Sequence, residues 1–335
     1  MASNLTTVDN SPDKAVSAPK PKFWKSPYVR FGGSALVLFL LLRRLHFHEV
    51  FGTIQRIPPG AFVVLFIAYM ALHLLGVVKW RLLINLAGAN LTFPQAVRCY
   101  YWGLFGNSFL PSLVGGDLVR GGMAFTFSRN KSAIVLGSLM DRVQDVGGLL
   151  VVTAGGILLL PGMLDYKAHK MFWTLAGVMA IGGVVGIGLL LVIPFRIFPF
   201  KLRRIFVKLR RGVRSMYRSP GTMFFCFLVG MVLQISQVAI NYTLGEITGF
   251  HLAFAIWLFA WPLAKLSALV PLTQGGMGVR EGVLAGLLSS FGAPAATALA
   301  AGLCFQFGVV WPGNLVGGAL AFLMGRFSFA RTKTL

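Results

Sequence analysis

The chain has 335 residues, of which 56 % are hydrophobic and only 12 % charged. An average soluble domain carries about twice that share of charge, so two soluble domains are excluded and the solvent for this much apolar surface is lipid. The charges are lopsided, 31 Lys and Arg against 9 Asp and Glu for a net +22, which makes every acid a position to be explained.

Residues 1–27 are polar and rich in Lys, Pro and Ser, which predicts a disordered cytoplasmic tail. A single membrane domain is expected over 28–326, followed by a short cytoplasmic tail at 327–335. One crossing needs about 20 apolar residues. The first run, Phe31–Leu42, is flanked by Arg43 and Arg44, which can snorkel to the interface. A basic leader precedes it, but no small-residue cleavage pattern follows, so it reads as an uncleaved anchor. Ala61–Val78, Ala133–Leu160, Met171–Pro194, Thr222–Leu244 and a long Ala295–Met324, interrupted by Pro312-Gly313, bring the predicted spans to about six. Two more apolar regions, Ala96–Leu110 and Ala253–Val270, run into Pro/Gly-rich breaks at Pro111 and Pro271 that cannot continue as helix. They predict two re-entrant hairpins, because irregular backbone at membrane depth is tolerated only under protein or beside a wet cavity.

Loop cations give the orientation. The segment 196–218 carries nine Lys and Arg, the N-terminal tail five, and Arg326, Arg331 and Lys333 close the chain. All three read as cytoplasmic, in a multi-pass protein of the cytoplasmic (inner) membrane. That arrangement holds only if the first hairpin enters and leaves on the cytoplasmic side and the second on the outside. The basic segment also reads as an interfacial helix, with Phe198, Leu202, Ile205, Leu209, Val213 and Met216 near one stripe and cations opposite. Such a helix either fixes topology alone or also attracts anionic phospholipid.

The two breaks align at a constant offset of 160: Pro111/Pro271, Gly115/Gly275, Gly116/Gly276, Val119/Val279 and Arg120/Arg280. The same offset superposes the flanking spans, giving repeat one over about 28–160 and repeat two over about 171–326. The halves start on opposite sides, so the fold class expected is an all-α polytopic membrane protein built as an inverted-topology repeat, a transporter architecture. Chance alignment in a Gly-rich chain is the alternative.

Five of the nine acids (Asp9, Asp13, Glu49, Asp165, Glu246) lie in the tail, in loops or at a span end. Asp117, Asp141, Asp145 and Glu281 fall in or beside the breaks or inside a span, with Arg98, Arg120, Arg142, Lys265 and Arg280 as the cations of the membrane segments. A charge at the bilayer centre costs on the order of 2.5–3.5 kcal/mol, so these groups must be paired or hydrated. The expectation is that Asp117, Asp141 and Asp145 neutralise some of Arg120, Arg142 and Arg280. Two readings stand. Either the pairs lock hairpins to helices, or they line a polar cavity whose arginines hold an anionic group. In the second, Gly115, Gly116, Gly275 and Gly276 free backbone N–H groups to assist, and Gly278 is a further substrate-binding candidate. Asn107, Gln274, Gln306 and Asn314, with Lys265, are candidate cavity liners, and Trp257, Trp261 and Trp311 line a lipid groove or simply pack. No cofactor or metal site is expected, since Cys99, Cys226 and Cys304 are widely spaced and His46 and His48 stand without a Cys or acid cluster.

The motifs Gly-Gly-Asp117-x-x-Arg120, Asp141-Arg142-x-x-Asp145 and Gly-Gly-x-Gly-Val-Arg280-Glu281 resemble the lysylphosphatidylglycerol synthase transmembrane, or flippase-like, family, over roughly Phe31 to Arg326. The helix motif there often begins Glu-Arg, where this chain has Asp141-Arg142. The resemblance implies a membrane domain that moves an aminoacylated phospholipid between leaflets. Family members place a soluble aminoacyl transferase after it. This chain ends at Leu335, close behind its last span, so the expectation is the membrane domain without that half and without synthase activity, with a separately encoded lipid-modifying enzyme as a possible partner. The leading reading is a transporter of anionic or aminoacylated phospholipid, or of a polyprenyl-linked lipid, and not an enzyme or a nucleic-acid binder. A membrane glycosyl- or acyl-transferase is the first rival. It needs an acid or metal site near an aqueous face, where the external loops offer only Glu49 and Asp165. A non-transporting scaffold is the second.

Overall fold

A computed structural model of the chain describes residues 47–55, 57–110, 113–160, 200–268 and 276–332, together with the isolated positions 39, 40, 43, 162, 170, 173, 174, 177 and 181. The predicted tail 1–27, most of the first span and of Met171–Pro194, and Pro111, Pro271, Gln274 and Gly275 lie outside the described residues. Among the described residues every regular element is helical. In order they are α1 (Phe47–Gln55), α2 (Pro59–Leu86), α3 (Phe93–Phe109), α4 (Leu113–Phe127), α5 (Lys131–Leu158), α6 (Phe200–Tyr217), α7 (Pro220–Thr248), α8 (Phe254–Ser267), α9 (Val279–Ser289), α10 (Ala295–Leu303) and α11 (Trp311–Thr332).

Among the described residues three stretches are long and apolar enough to cross a membrane: Pro59–Leu86, Pro220–Thr248 and Ala295–Gly325. Their outward faces carry bare apolar side chains such as Val64, Ile67, Phe224 and Phe322, as lipid-facing helices do. The 28-residue α5 matches α2 in length but carries Asp141, Arg142 and Asp145 midway. Its start is set by Asn130, whose side-chain oxygen accepts from Ala133 N–H, an N-cap.

The last stretch departs from expectation. Pro312-Gly313 does not interrupt the span. The helix widens to a π-helical segment over Cys304–Val310 and runs on through Pro312. Proline lacks an N–H and crowds the carbonyl one turn back, and a wider turn just before it absorbs both defects without a break. The backbone then stays helical to Thr332, past residue 326. Residues 43–60, read as a loop, contain α1, which packs against α10.

The element order runs long helix, two short helices, long helix, and then repeats: α2, α3/α4, α5 and α7, α8/α9, α10/α11. Packing follows the same scheme. The first arm of each short pair packs on the closing helix of the other half, α3 on α11 and α8 on α5, while α2 and α7 pack on each other. Close approach depends on small residues. A Cβ on Gly156 of α5 would stand 2.6 Å from the Phe259 backbone nitrogen of α8.

Helix α6 packs against α5, with further contacts to α2 and α7. Val213 and Met216 are each 1 % exposed, against Leu136 of α5, while Arg210, Arg211, Arg214 and Arg218 face outward.

Candidate functional site: a charged cavity between the helix pairs

Each short pair carries a polar lock beside its break, between the arms in the first and at the start of the second arm in the other. In α3/α4, Leu110 is extended (φ −90°, ψ 143°), which ends the first arm. Asn107 Oδ1 then accepts from Gly116 N–H at 2.9 Å and ties the arms together. A Cβ on Gly116 would sit 2.2 Å from that oxygen and 2.4 Å from the Gly103 carbonyl, so only glycine permits this approach. Gly115 faces Leu110 in the same way. In the second pair, Gly276 and Gly278 have φ of +79° and +81°, where glycine is unstrained. Glu281 Oε2 accepts from Gly278 N–H at 2.7 Å and caps α9. The N–H group of Gly116 is thus spent inside the protein rather than free to cradle an anion, a correction to the sequence expectation, and that of Gly278 is likewise bonded.

Between the pairs lies a cavity of about 200 Å³. Of the residues expected at a site, Asn107, Gly116, Asp117, Arg120, Asp141, Arg142, Asp145, Lys265, Arg280, Gln306 and Asn314 line it. Glu281 sits behind Arg280, only 1 % exposed. Gly115, Gly276 and Gly278 shape the breaks without lining the cavity. Trp261 and Trp311 line it, whereas Trp257 packs in the core, stacked on Phe250.

The charges form two groups. In the first, Arg120 Nη2 bridges Asp117 and Asp141, at 3.0 Å to each. Arg142 Nε bonds the other oxygen of Asp117. Lys79 Nζ holds Asp141 at 3.0 Å and Asp145 at 2.5 Å. In the second, Arg280 bonds Glu281 Oε1 through Nε (3.0 Å) and Nη2 (2.5 Å), and Nη2 also donates to Gln306 Oε1 at 2.6 Å in the π-helical turn. Pairing among these residues was expected, but two partners differ. Asp145 is held by Lys79 rather than by an arginine, and Arg280 is met by Glu281 rather than by an aspartate. Aromatic faces complete the desolvated shell. The Arg120 Cζ lies 4.8 Å from the Trp80 ring centre and 5.3 Å from that of Tyr100, and the Arg280 Cζ lies 5.3 Å from Trp261 and 5.6 Å from Phe305.

Sequence reading missed Lys79, which falls one residue beyond the predicted span end at Val78. Helix α2 runs on to Leu86, and Lys79 is 1 % exposed. The signal was present in the chain, since Trp80, Leu82, Leu83 and Ile84 resume the apolar run directly after it. Tyr69, His73, Tyr100, Gln234 and Gln237 were missed as well. They are uncharged polar groups inside apolar helices. Asn314 links two helices, donating to Ser108 at 3.0 Å and accepting from Tyr69 Oη at 3.4 Å.

The pattern of the family described as Lysylphosphatidylglycerol synthase TM region matches residues 28–317. The chain is also similar to a protein of Methanothermobacter thermautotrophicus described as a UPF0104 membrane protein, with 20 % identity over 325 residues, covering 87 % of this chain and 91 % of the relative. No solved structure matches the chain. A family match over most of the length, together with membrane-length helices, makes this chain a membrane protein of the lysylphosphatidylglycerol synthase TM region family.

Proposed function

We propose that the protein is a lipid transporter of the flippase type. It moves an anionic or aminoacylated phospholipid, or a polyprenyl-linked lipid, between leaflets, with the headgroup in the charged cavity and the tails outside. The observation that carries this reading is the cavity itself. Five cations and three aspartates line one cavity contributed by both halves of an otherwise apolar chain. At about 200 Å³ it is smaller than the roughly 300–1,000 Å³ of a typical ligand pocket, which suits a headgroup rather than a whole lipid.

Helix lengths support the topology. At ~1.5 Å per residue the arms α3, α4, α8 and α9 span only about 17–25 Å, short of a hydrocarbon core of about 30 Å. They are read as re-entrant hairpins, and the reciprocal packing of α3 on α11 and α8 on α5 is the pattern that an inverted repeat produces. The protein resides in the inner membrane with both termini and α6 cytoplasmic, as its loop cations direct. An enzymatic role fits the carboxylates less well. Asp117, Asp141, Asp145 and Glu281 each hold a cation, whereas a general acid or base needs a position open to the substrate proton.

Leaflet exchange of a fluorescent phosphatidylglycerol in liposomes, read by dithionite bleaching, tests the reading. Wild type accelerates exchange, and Arg120→Gln and Arg280→Gln each slow it at least tenfold while still inserting. Full exchange by both variants, or none by wild type, overturns it.

A further inference from the structure

The bonding around the cavity singles out one of its five cations. Lys79, Arg120, Arg142 and Arg280 each hold at least one carboxylate. These four cations stand against four acids, Asp117, Asp141, Asp145 and Glu281. Lys265 is the fifth, and among the described residues no carboxylate pairs with its ammonium. Its Nζ donates to Gln234 Oε1 at 2.9 Å and to Gln237 Oε1 at 2.7 Å, two neutral amides one turn apart on α7. An ammonium has three donors, so one is left over, and amide dipoles orient the group without cancelling its charge. Donors are in surplus elsewhere too. Arg120 Nε and Trp261 Nε1, both on cavity-lining residues, are buried with no acceptor in the protein. Neither atom can accept a hydrogen bond.

A space of this size, with one positive charge over and donors in excess, suits a single monoanionic group rich in acceptors. In a bilayer the abundant group of that description is the phosphodiester of a phospholipid. A headgroup carrying its own amine adds a positive charge to a site whose four carboxylates are already taken. Resting on the transport reading, we infer that Lys265 binds the substrate phosphate, and that the site selects phospholipids with an anionic, amine-free headgroup over zwitterionic and aminoacylated ones.

Native mass spectrometry of the full chain in detergent, titrated with phosphatidylglycerol, phosphatidylcholine and lysylphosphatidylglycerol, tests this. Wild type should bind phosphatidylglycerol at least tenfold more tightly than the other two. Lys265→Met should abolish that preference, and Lys265→Arg should keep it. Lys265→Gln replaces Lys265→Met if the latter does not fold. A preference that survives loss of the charge, is missing in wild type, or is lost equally in Lys265→Arg overturns the inference. Glycerophosphoglycerol, the same phosphodiester without tails, should compete only at concentrations about a hundredfold higher. Equal competition overturns the lipid as ligand. Leaflet exchange is read in parallel: phosphatidylglycerol bound through Lys265 with no exchange by wild type defeats the transport reading while leaving Lys265 as the phosphate receptor.

Discussion

Arg120 and Arg280 stand 160 positions apart and reach the same setting, each guanidinium over two aromatic rings and bonded to an acid of its own short helix. The second partner differs. Arg120 reaches Asp141 of α5, whereas Arg280 reaches the neutral Gln306. Arg280 bonds through both Nε and Nη2 of its planar fork, which lysine lacks, whereas Arg120 bridges its two acids from Nη2 alone. Arg280→Lys should therefore lose at least one charge-assisted hydrogen bond, worth about 1.5–3 kcal/mol. Leaflet exchange should fall roughly 10- to 100-fold. Wild-type exchange in this variant contradicts this.

Lys79 is the cation that Asp145 depends on. Lys79→Met leaves Asp145 without that partner and Asp141 with Arg120 alone. Removing one member of a buried pair costs about 3–5 kcal/mol, because the other charge stays buried. Lys79→Met with Asp145→Asn should recover at least 1 kcal/mol of the loss, since contacting sites couple by about 0.5–3 kcal/mol. A double-mutant cycle by SDS unfolding in micelles measures it. Strict additivity would show that the contact at 2.5 Å carries no energy.

Gly116→Ala drives a methyl into Asn107 and the Gly103 carbonyl. Overpacking of this kind costs about 1–3 kcal/mol. At Gly286, on α9, nothing lies within 4 Å of an added Cβ, so Gly286→Ala should be neutral or stabilise by up to about 1 kcal/mol through helix propensity. Thermal unfolding of the two variants side by side checks the contrast, and equal effects would contradict the close approach of α3 and α4 at Gly116.

The exposed Arg210, Arg211 and Arg214 of α6 face away from the bundle. A cation near an anionic membrane surface is worth about 1 kcal/mol. The triple change to Gln should slow exchange in vesicles rich in phosphatidylglycerol, with the difference vanishing at high salt and unfolding unchanged. Equal rates at low salt would leave α6 without a lipid-gathering role.

The sequence carried the charges and part of their pairing. Asp117, Arg120, Asp141, Arg142, Arg280 and Glu281 were legible because an ion in an apolar segment is costly enough to demand a reason. Lys79 was not, because a lysine at the end of an apolar run looks like an interface anchor until the helix is seen to continue. The glycines were legible as breaks. Their use for close approach at Gly116, and the N–H group spent there on Asn107, depend on contacts between arms that no local pattern encodes, whereas the Gly278 N–H spent on Glu281 is a local cap three residues long. Pro312-Gly313 looked like an interruption because the widened turn over Cys304–Val310 that accommodates it has no residue signature.

The central claim is that the cavity is a transport site reached from both sides of the membrane. With Cys99, Cys226 and Cys304 replaced by alanine, Gln237→Cys places a single thiol on the cavity wall. Labelling by a membrane-impermeant maleimide, applied to sealed right-side-out and inside-out vesicles, is the most direct measurement. The account predicts labelling from either side, slowed by phosphatidylglycerol. Labelling from one side only, unaffected by lipid, would contradict it.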